Sequence, residues 1–365
     1  MIGRPNWQAA RGMGSTLVLV IVIGAAVCFD FTNGFHDTAN AMATSIATGA
    51  LKPIVAVLIS AVLNFVGAFI SIAVATTIAK GIVPSSATAG VDGLAVVEAA
   101  LIGAITWNLI TWYFTIPSSS SHALIGGLIG ASIASVGSGA VSVHGIVQKV
   151  VAPGILAIFV CGFAAFLATS AAYLLIRRLG QEEARRGYRY GQIGSASLVS
   201  LAHGTNDAQK TMGIIALTLF AATKAGQLEQ PPEWLSFLRT THDPGASGIA
   251  LWIKVTCALV MAAGTAVGGW RIIRTLGHKM VKLQPINGLA AETSSALVIL
   301  AATHLGIPVS TTHNISAAIM GVGAARRLNA IRWTVVERMV WAWILTIPVT
   351  ALLAYLFVRI LRTMG

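Results

Sequence analysis

Two short stretches hold the residues best able to do chemistry. Gly34-Phe35-His36-Asp37-Thr38-Ala39-Asn40-Ala41-Met42 and Gly204-Thr205-Asn206-Asp207-Ala208-Gln209-Lys210-Thr211-Met212 place Gly, Asp and Met in register, with polar residues crowding the Asp in both. Both interrupt strongly apolar runs. A bilayer makes an ionised carboxylate expensive, so an Asp there marks a functional site by default. Two at matching positions of a duplicated sequence strengthen that reading.

A second pair of motifs lies downstream of each. Ile116-Pro117-Ser118-Ser119-Ser120-Ser121-His122 matches Ile307-Pro308-Val309-Ser310-Thr311-Thr312-His313 position by position. Proline lacks an N–H and breaks a helix. The hydroxyl-rich residues after it open a new helix, whose first N–H groups lack partners and whose dipole favours negative charge. Ser119, Ser120, Ser121, Ser310, Thr311 and Thr312 add O–H donors. Two such ends facing each other would offer a small tetrahedral oxyanion donors from several directions.

Asp37 and Asp207 would repel that anion, so a co-transported cation, or a proton taken up by a buried carboxylate, must offset them. Asn33, Thr38, Asn40, Asn206 and Gln209 are further oxygen donors. Thr205 and Lys210 join Asp37, Asn40, Asp207 and the six hydroxyls as substrate-binding candidates. Asn33, His36, Asp37, Asn206, Asp207 and Glu292 are the candidates for cation coupling. His36 can titrate near neutral pH. Lys210, at the place of Asn40, has three readings: pairing with Asp207 one turn away, contacting the anion, or snorkelling to the interface. Glu292, among small residues in an apolar segment, reads as a coupling or gating carboxylate, with helix packing as the alternative. Asp30 has only Ser200 as counterpart and reads as a helix-end cap. His122 and His313 read as packing donors rather than metal ligands. The plain alternative for the hydroxyl runs is hydrogen bonding to nearby backbone or helices. Neither a resident metal site nor a cofactor is expected.

The elements that position these residues follow from composition. Hydrophobic residues make up 56% of the chain, charged residues 10%, and mean hydropathy is +0.79. A soluble domain carries roughly 25% charge, so the chain is a polytopic membrane protein embedded in the lipid bilayer. Runs at 15–31, 54–79, 150–176, 249–267 and 333–358 approach the ~20 residues needed to span hydrocarbon as a helix. Alternating segments of a β-barrel are missing from the sequence. The net charge of +12 does not indicate nucleic acid. Its basic residues cluster in short loops, as cytoplasmic loops do. Cys28, Cys161 and Cys257 sit in apolar runs and read as small buried hydrophobes. The first apolar run follows Arg4 and Arg11 but lacks a small-residue cleavage site, so it is expected to stay as a span.

The expected organisation is a polar leader (1–14), a first transmembrane repeat (15–177), a basic cytoplasmic linker (178–192), a second repeat (193–358) and a tail (359–365). Asn33-Gly34 is expected to break the first helix, with a short helix carrying Asn40 to about Thr48. One long segment is expected from Ile54 to Lys80, a loop at Asp92, and a polar loop at about 223–247 with Pro231 and Pro232. Residues 265–270 parallel 64–69. Arg271, Arg274, Lys279, Lys282, Arg326, Arg327 and Arg332 have no acidic company, whereas the matching first-half loops hold Lys80 and Lys149 against Asp92 and Glu98. Matching loops then lie on opposite sides of the membrane. The fold class is therefore all-α, with two inverted-topology repeats whose broken half-helices meet at a midplane site.

The four motifs, in this order over about residues 20–358, resemble those of the inorganic phosphate transporter (PiT) family. Residues 33–41 and 116–122 look most like its bacterial low-affinity branch, although His36 departs from the family's commoner Asn, which Asn206 keeps. The resemblance implies phosphate and cation sites at Asp37, Asn40, Ser119–Ser121, Asp207 and Ser310–Thr312, and a homodimer. The expected function is cation-coupled import of inorganic phosphate across the cytoplasmic membrane. A proton is the favoured coupling ion; carriage as a metal–phosphate complex, or coupling to sodium, stays open. The alternative is a sulfate permease of the same fold. An enzyme is not expected: an intramembrane aspartyl protease would need Gly-x-Gly-Asp, where this chain has Gly-Phe-His-Asp and Gly-Thr-Asn-Asp. A channel suits occluded carboxylates and inverted repeats less well than alternating access does.

Overall fold

The computed structural model describes residues 7–81, 90–176, 181–226, 228, 233–239 and 248–364, almost all of them helical. In chain order the helices are α1 (Trp7–Ala47), α2 (Pro53–Gly67), α3 (Ala73–Gly81), α4 (Gly90–Tyr113), α5 (Ser120–Val136), α6 (Val143–Ile146), α7 (Ala152–Ile176), α8 (Gln181–Lys224), α9 (Leu251–Val267), α10 (Trp270–Arg274), α11 (Pro285–His304), α12 (Thr311–Arg326) and α13 (Trp333–Met364). Among the described residues five helices are long and apolar enough to cross a membrane, and α9 with the segment from Trp270 to Lys279 forms a sixth, bent by 56°. Residues 1–6, 178–180, Pro231 and Pro232 lie outside the described residues, as do the side chains of Arg4, Arg11, Lys80 and Asp92.

Two long helices, α1 and α8, carry the Asp motifs. Side chains pair Asp30 with Thr211, Asp37 with His203 and Thr48 with Gln192. Numbers rise along one helix as they fall along the other, so α1 and α8 run antiparallel in a single register over this whole length.

The expected break at Asn33-Gly34 does not occur, because α1 is continuous for 41 residues. Gly34 instead serves close packing. A Cβ there would sit 2.5 Å from the carbonyl oxygen of Met261, and one on Gly264 would run into that of Phe31. The same atoms recur on α8, where Gly204 abuts the carbonyl of Asn64 and Gly67 abuts that of Leu201. Small residues that let backbones touch are the usual means of helix association in lipid, where no hydrophobic force draws helices together. The contacts also correct the expected register. Asn64 stands where Met261 stands, one turn from Thr265, and its amide donates to the Thr265 hydroxyl at 2.8 Å.

The segment from Ile54 to Lys80 is likewise not one span, since residues 68–72 separate α2 from α3. A helix start leaves its first N–H groups without partners. Here Gln209 Oε1 accepts from the N–H of Val74 and Ala75 at 2.8 and 3.2 Å. The 178–192 linker is helical from Gln181 onward. Its Gln-Glu-Glu-Ala-Arg-Arg start is rich in helix formers. Within the expected polar loop a short 3-10 helix runs over Glu233–Leu238.

The Pro motifs end their spans as expected, with one refinement. Both α4 and α11 terminate before the proline, at Thr115 (φ 61°) and Gly306 (φ 69°), which take the same left-handed conformation. The following N–H groups close the helix ends by bonding Thr111 O at 2.9 Å and Ala302 O at 2.8 Å. A left-handed residue with back-bonding of this kind is a common helix terminator.

Candidate functional site

The starts of α5 and α12 are built alike. Ser119 (φ −100°, ψ 107°) caps α5 by accepting from the His122 N–H at 3.1 Å. Ser310 (φ −88°, ψ 111°) caps α12 by accepting from the His313 N–H at 3.2 Å. These two hydroxyls accept from their own backbones, which is what an N-cap does, and each keeps its O–H proton to donate. The next hydroxyls reach the carboxylates. Ser120 donates to Asp37 Oδ2 at 2.9 Å, Thr312 to Asp37 Oδ1 at 3.2 Å, and Thr311 to Asp207 Oδ2 at 3.3 Å. Both helix starts therefore converge on the buried pair Asp37 and Asp207.

Asparagines brace the frame. Asn33 Oδ1 accepts from Ser120 Oγ at 2.5 Å, and Asn40 Nδ2 donates to Thr312 at 2.8 Å and to Thr311 at 3.2 Å. The Asn40 Oδ1 atom is buried without a partner.

Three basic side chains enter this centre. Lys210, only 2% exposed, sets its Nζ 2.6 Å from Asp207 Oδ1. It also donates to Ser121 Oγ and, at 3.1 Å, to Val309 O, thereby tying the two helix starts together. Lys210 thus pairs with Asp207 and does not snorkel. His36 places Nδ1 2.9 Å from Asp37 Oδ1 and Nε2 3.1 Å from the hydroxyl of Thr111. That hydroxyl accepts from Ser118 at 2.8 Å and donates to Trp107 O at 2.9 Å.

His203 was not among the residues singled out in the sequence. Its Nε2 lies 3.3 Å from Asp207 Oδ2 and 3.9 Å from Asp37 Oδ2, while Nδ1 is 3.1 Å from Asn64 Oδ1. Nδ1 thus has an amide oxygen as its partner, while Nε2 sits beside the two carboxylates without a hydrogen bond to either. The sequence held one usable signal, since His203 occupies the place of Asn33 in the repeat, immediately before Gly204. Asp37, His203 and Asp207 offer atoms within 4.8 Å of one another, a spacing that could hold a metal ion. A cation there would, however, face the Lys210 ammonium.

Other candidates lie apart from the carboxylates. Thr205 donates to Leu201 O one turn back at 2.7 Å. Asn206 donates to Thr303 Oγ1 at 2.8 Å. Thr38 donates to Gly34 O at 2.8 Å. Glu292 is fully buried in a separate cluster on α11, where it accepts from Thr44 of α1 and, at 3.3 and 2.5 Å, from Gln192 and Ser195 of α8. His122 and His313 pack edge to face at 4.8 Å between ring centres, and the His313 ring centre lies 4.3 Å from that of Trp343. Asp30 is not at a helix end; it is buried mid-helix and accepts from Thr211 at 2.9 Å.

A bundle of apolar helices around a sealed, hydroxyl-lined charge centre is the architecture of a polytopic membrane protein. The chain belongs to the phosphate transporter family, whose model matches residues 33–354, and this membership makes it a transporter and not an enzyme. It is 50% identical over 335 residues to a probable low-affinity inorganic phosphate transporter of Mycobacterium bovis, covering 92% of this chain and 75% of that protein. It is 42% identical over 337 residues to a protein of Bacillus subtilis with the same description, covering 92% and 95%. In structure it is similar to a sodium-dependent phosphate transporter at a TM-score of 0.80 and 22% identity, covering 96% of this chain and 100% of the other.

Proposed function

We propose that this protein imports inorganic phosphate across the cytoplasmic membrane by symport with a cation, the proton being favoured. The carrying observation is the charge balance of the buried centre. His36, His203 and Lys210 face Asp37 and Asp207. Three basic side chains thus stand against two carboxylates, an excess of basic groups suited to a singly charged anion. Ser120, Thr311 and Thr312 are the hydroxyls positioned to turn from carboxylate to substrate. Family membership and the relatives' names support phosphate as that anion. Phosphate at neutral pH also keeps an O–H to donate to a carboxylate, whereas sulfate would leave that carboxylate unpaired, and sites built on hydrogen bonds reject such ligands. No observation favours the sulfate permease.

Proton coupling is supported by the same geometry. Each carboxylate already has a basic side chain of the protein beside it, and His203 Nε2 lies 3.3 and 3.9 Å from the two. The antiparallel α1 and α8, with matching contacts to α9 and α2, support an inverted-topology repeat. The basic loops support its orientation, with residues 271–282 and 326–332 in the cytoplasm. Glu292, which ties α1, α8 and α11, is suited to gating. The homodimer rests on the family resemblance.

The test is labelled phosphate uptake into proteoliposomes under an inward proton gradient without sodium, with unlabelled sulfate in a parallel set. Concentrative uptake insensitive to sulfate, and abolished by Asp37→Asn and by Asp207→Asn, is the expected result. Uptake only after sodium is added would overturn the coupling ion. Sulfate carried in place of phosphate would overturn the substrate.

A further inference from the structure

Asp30 is a third intramembrane carboxyl group that the centre above does not use. It stands seven residues before Asp37 on α1, on the same helix face and about 10 Å along the axis at 1.5 Å per residue. It is 0% exposed. Its Oδ1 accepts from Thr211 Oγ1 at 2.9 Å, and its Oδ2 has no hydrogen-bond partner. Among the described residues no Lys, Arg or His lies within ion-pair distance of it.

Those facts decide its chemistry. An ionised carboxylate sealed from water needs a cation or several donors, and one hydroxyl supplies neither. Burial of an unpaired ion costs several kcal/mol, so such a group takes up a proton instead. A metal ion would want a shell of oxygens, and Asp30 with Thr211 offers too few. The groups facing it are Thr211 and, farther off, Lys210, Asp207 and His203 from α8, and the Cys257 thiol from α9. Leu101 and Ala104 of α4 belong to the apolar cluster that holds its neighbour Phe29.

Asp30 also breaks the internal symmetry. Its counterpart Ser200 turns its hydroxyl back to Ala196 O at 2.9 Å. The counterpart of Thr211 is Ala41. The first half thus carries a carboxyl group bonded to α8 through Thr211, and the second half carries none at the matching position.

We propose that Asp30 is the proton-carrying carboxyl of the coupling machinery, loaded and emptied once per transport cycle. Its O–H bond forms when an aqueous proton is taken up and breaks when that proton leaves, and no other bond changes. This rests on the proton-symport reading above and adds the residue that carries the ion. Asp30 does not touch substrate; it acts through the neighbouring charge centre.

The experiment compares wild type, Asp30→Asn and Asp30→Glu in proteoliposomes. Two reactions are read: phosphate counterflow at equal pH, which needs no net proton movement, and accumulation under a one-unit inward pH gradient. One pH unit is worth ~1.4 kcal/mol, so each coupled proton contributes about tenfold to accumulation. Asp30→Asn keeps an oxygen for Thr211, so the fold is expected to hold. The expected result is counterflow within about twofold of wild type for Asp30→Asn, with accumulation reduced about tenfold and restored in Asp30→Glu. Infrared difference spectra are expected to lose a protonated-carboxyl C=O band in Asp30→Asn. Wild-type accumulation by Asp30→Asn, or equal loss of counterflow and accumulation in both variants, would overturn the assignment. Failure of wild type itself to accumulate phosphate on a proton gradient would instead overturn the symport reading on which it rests.

Discussion

The surroundings of Asp37 and Asp207 share a frame but not a charge pattern. In both, a glycine-bearing helix crosses the motif helix backbone to backbone. In both, a serine-capped helix start delivers hydroxyls to a carboxylate. The amides that brace the site, Asn33 and Asn40, come from α1, whereas α8 has His203 and Lys210 at those two positions. At the third position the exchange runs the other way, His36 on α1 against Asn206 on α8, so a duplicated scaffold keeps its packing while amide and basic side chains change places between the copies. Packing depends on where backbones touch, which glycine decides. Charge depends on side chains alone and is free to diverge.

The sharpest way to break this comparison is Lys210→Asn, which gives the second copy the residue of the first. Removing one partner of a buried ion pair costs about 3–5 kcal/mol. Uptake is expected to fall below roughly 1% of wild type, because every ~1.4 kcal/mol is tenfold, with a lower unfolding temperature in detergent. Adding Asp207→Asn should recover stability but not transport. Recovery of uptake as well would show that the pair is only structural.

Next in size is the contrast between Ser120→Ala and Thr311→Ala. Ser120 holds both Asp37 and Asn33, while Thr311 meets Asp207 at the longer 3.3 Å. Leaving a buried acceptor unmet costs about 1–3 kcal/mol. Ser120→Ala should therefore lose about tenfold in initial uptake rate, more than Thr311→Ala. The reverse order would mean that Asp207 depends more on its hydroxyl than on Lys210.

Gly34→Ala and Gly204→Ala sharpen the shared frame. Each adds a Cβ against a carbonyl oxygen, and overpacking typically costs about 1–3 kcal/mol. Gly204→Ala should lose more in thermal unfolding, because its Cβ would run into the carbonyl oxygen of Asn64 and meet that residue's Cα and carbonyl carbon at 2.5 and 2.8 Å, whereas that of Gly34 meets only Met261 O at 2.5 Å and its next contacts at 3.1 and 3.3 Å. The smallest effect belongs to Thr115→Gly. A β-branched residue at φ 61° carries strain of about 1 kcal/mol, and its relief should raise the unfolding temperature slightly. Gly306→Thr should lower it.

Much of this was legible because motif spacing survives duplication. Pro117 and Pro308, the hydroxyls after them, and the Asp pair could be aligned by eye. The continuity of α1 could not, since Asn-Gly reads as a breaker. Only the facing carbonyl of Met261 explains why Gly34 is there. Gln209 looked like a ligand for an ion, yet it completes the start of α3 across a break that hydropathy reads as one span. His203 escaped notice because a histidine beside a glycine has no pattern of its own. Its meaning comes from Asp207 one turn on along α8 and from Asn64 and Asp37, which reach it from two other places in the sequence.

Residue types and their repetition by themselves determined the membrane class, the duplication, the two carboxylates and the hydroxyl-rich helix starts. These follow from local rules: the cost of polar groups in hydrocarbon, the missing N–H of proline, and the period of a helix. Tertiary structure alone decided that His203 of α8 comes within 3.9 Å of Asp37 of α1, that Ser119 and Ser310 cap while their neighbours reach inward, and that Asp30 is left with a single donor. Those outcomes depend on distances of a few ångströms between helices far apart in sequence, where Coulomb and hydrogen-bond energies change steeply and no local rule reports them.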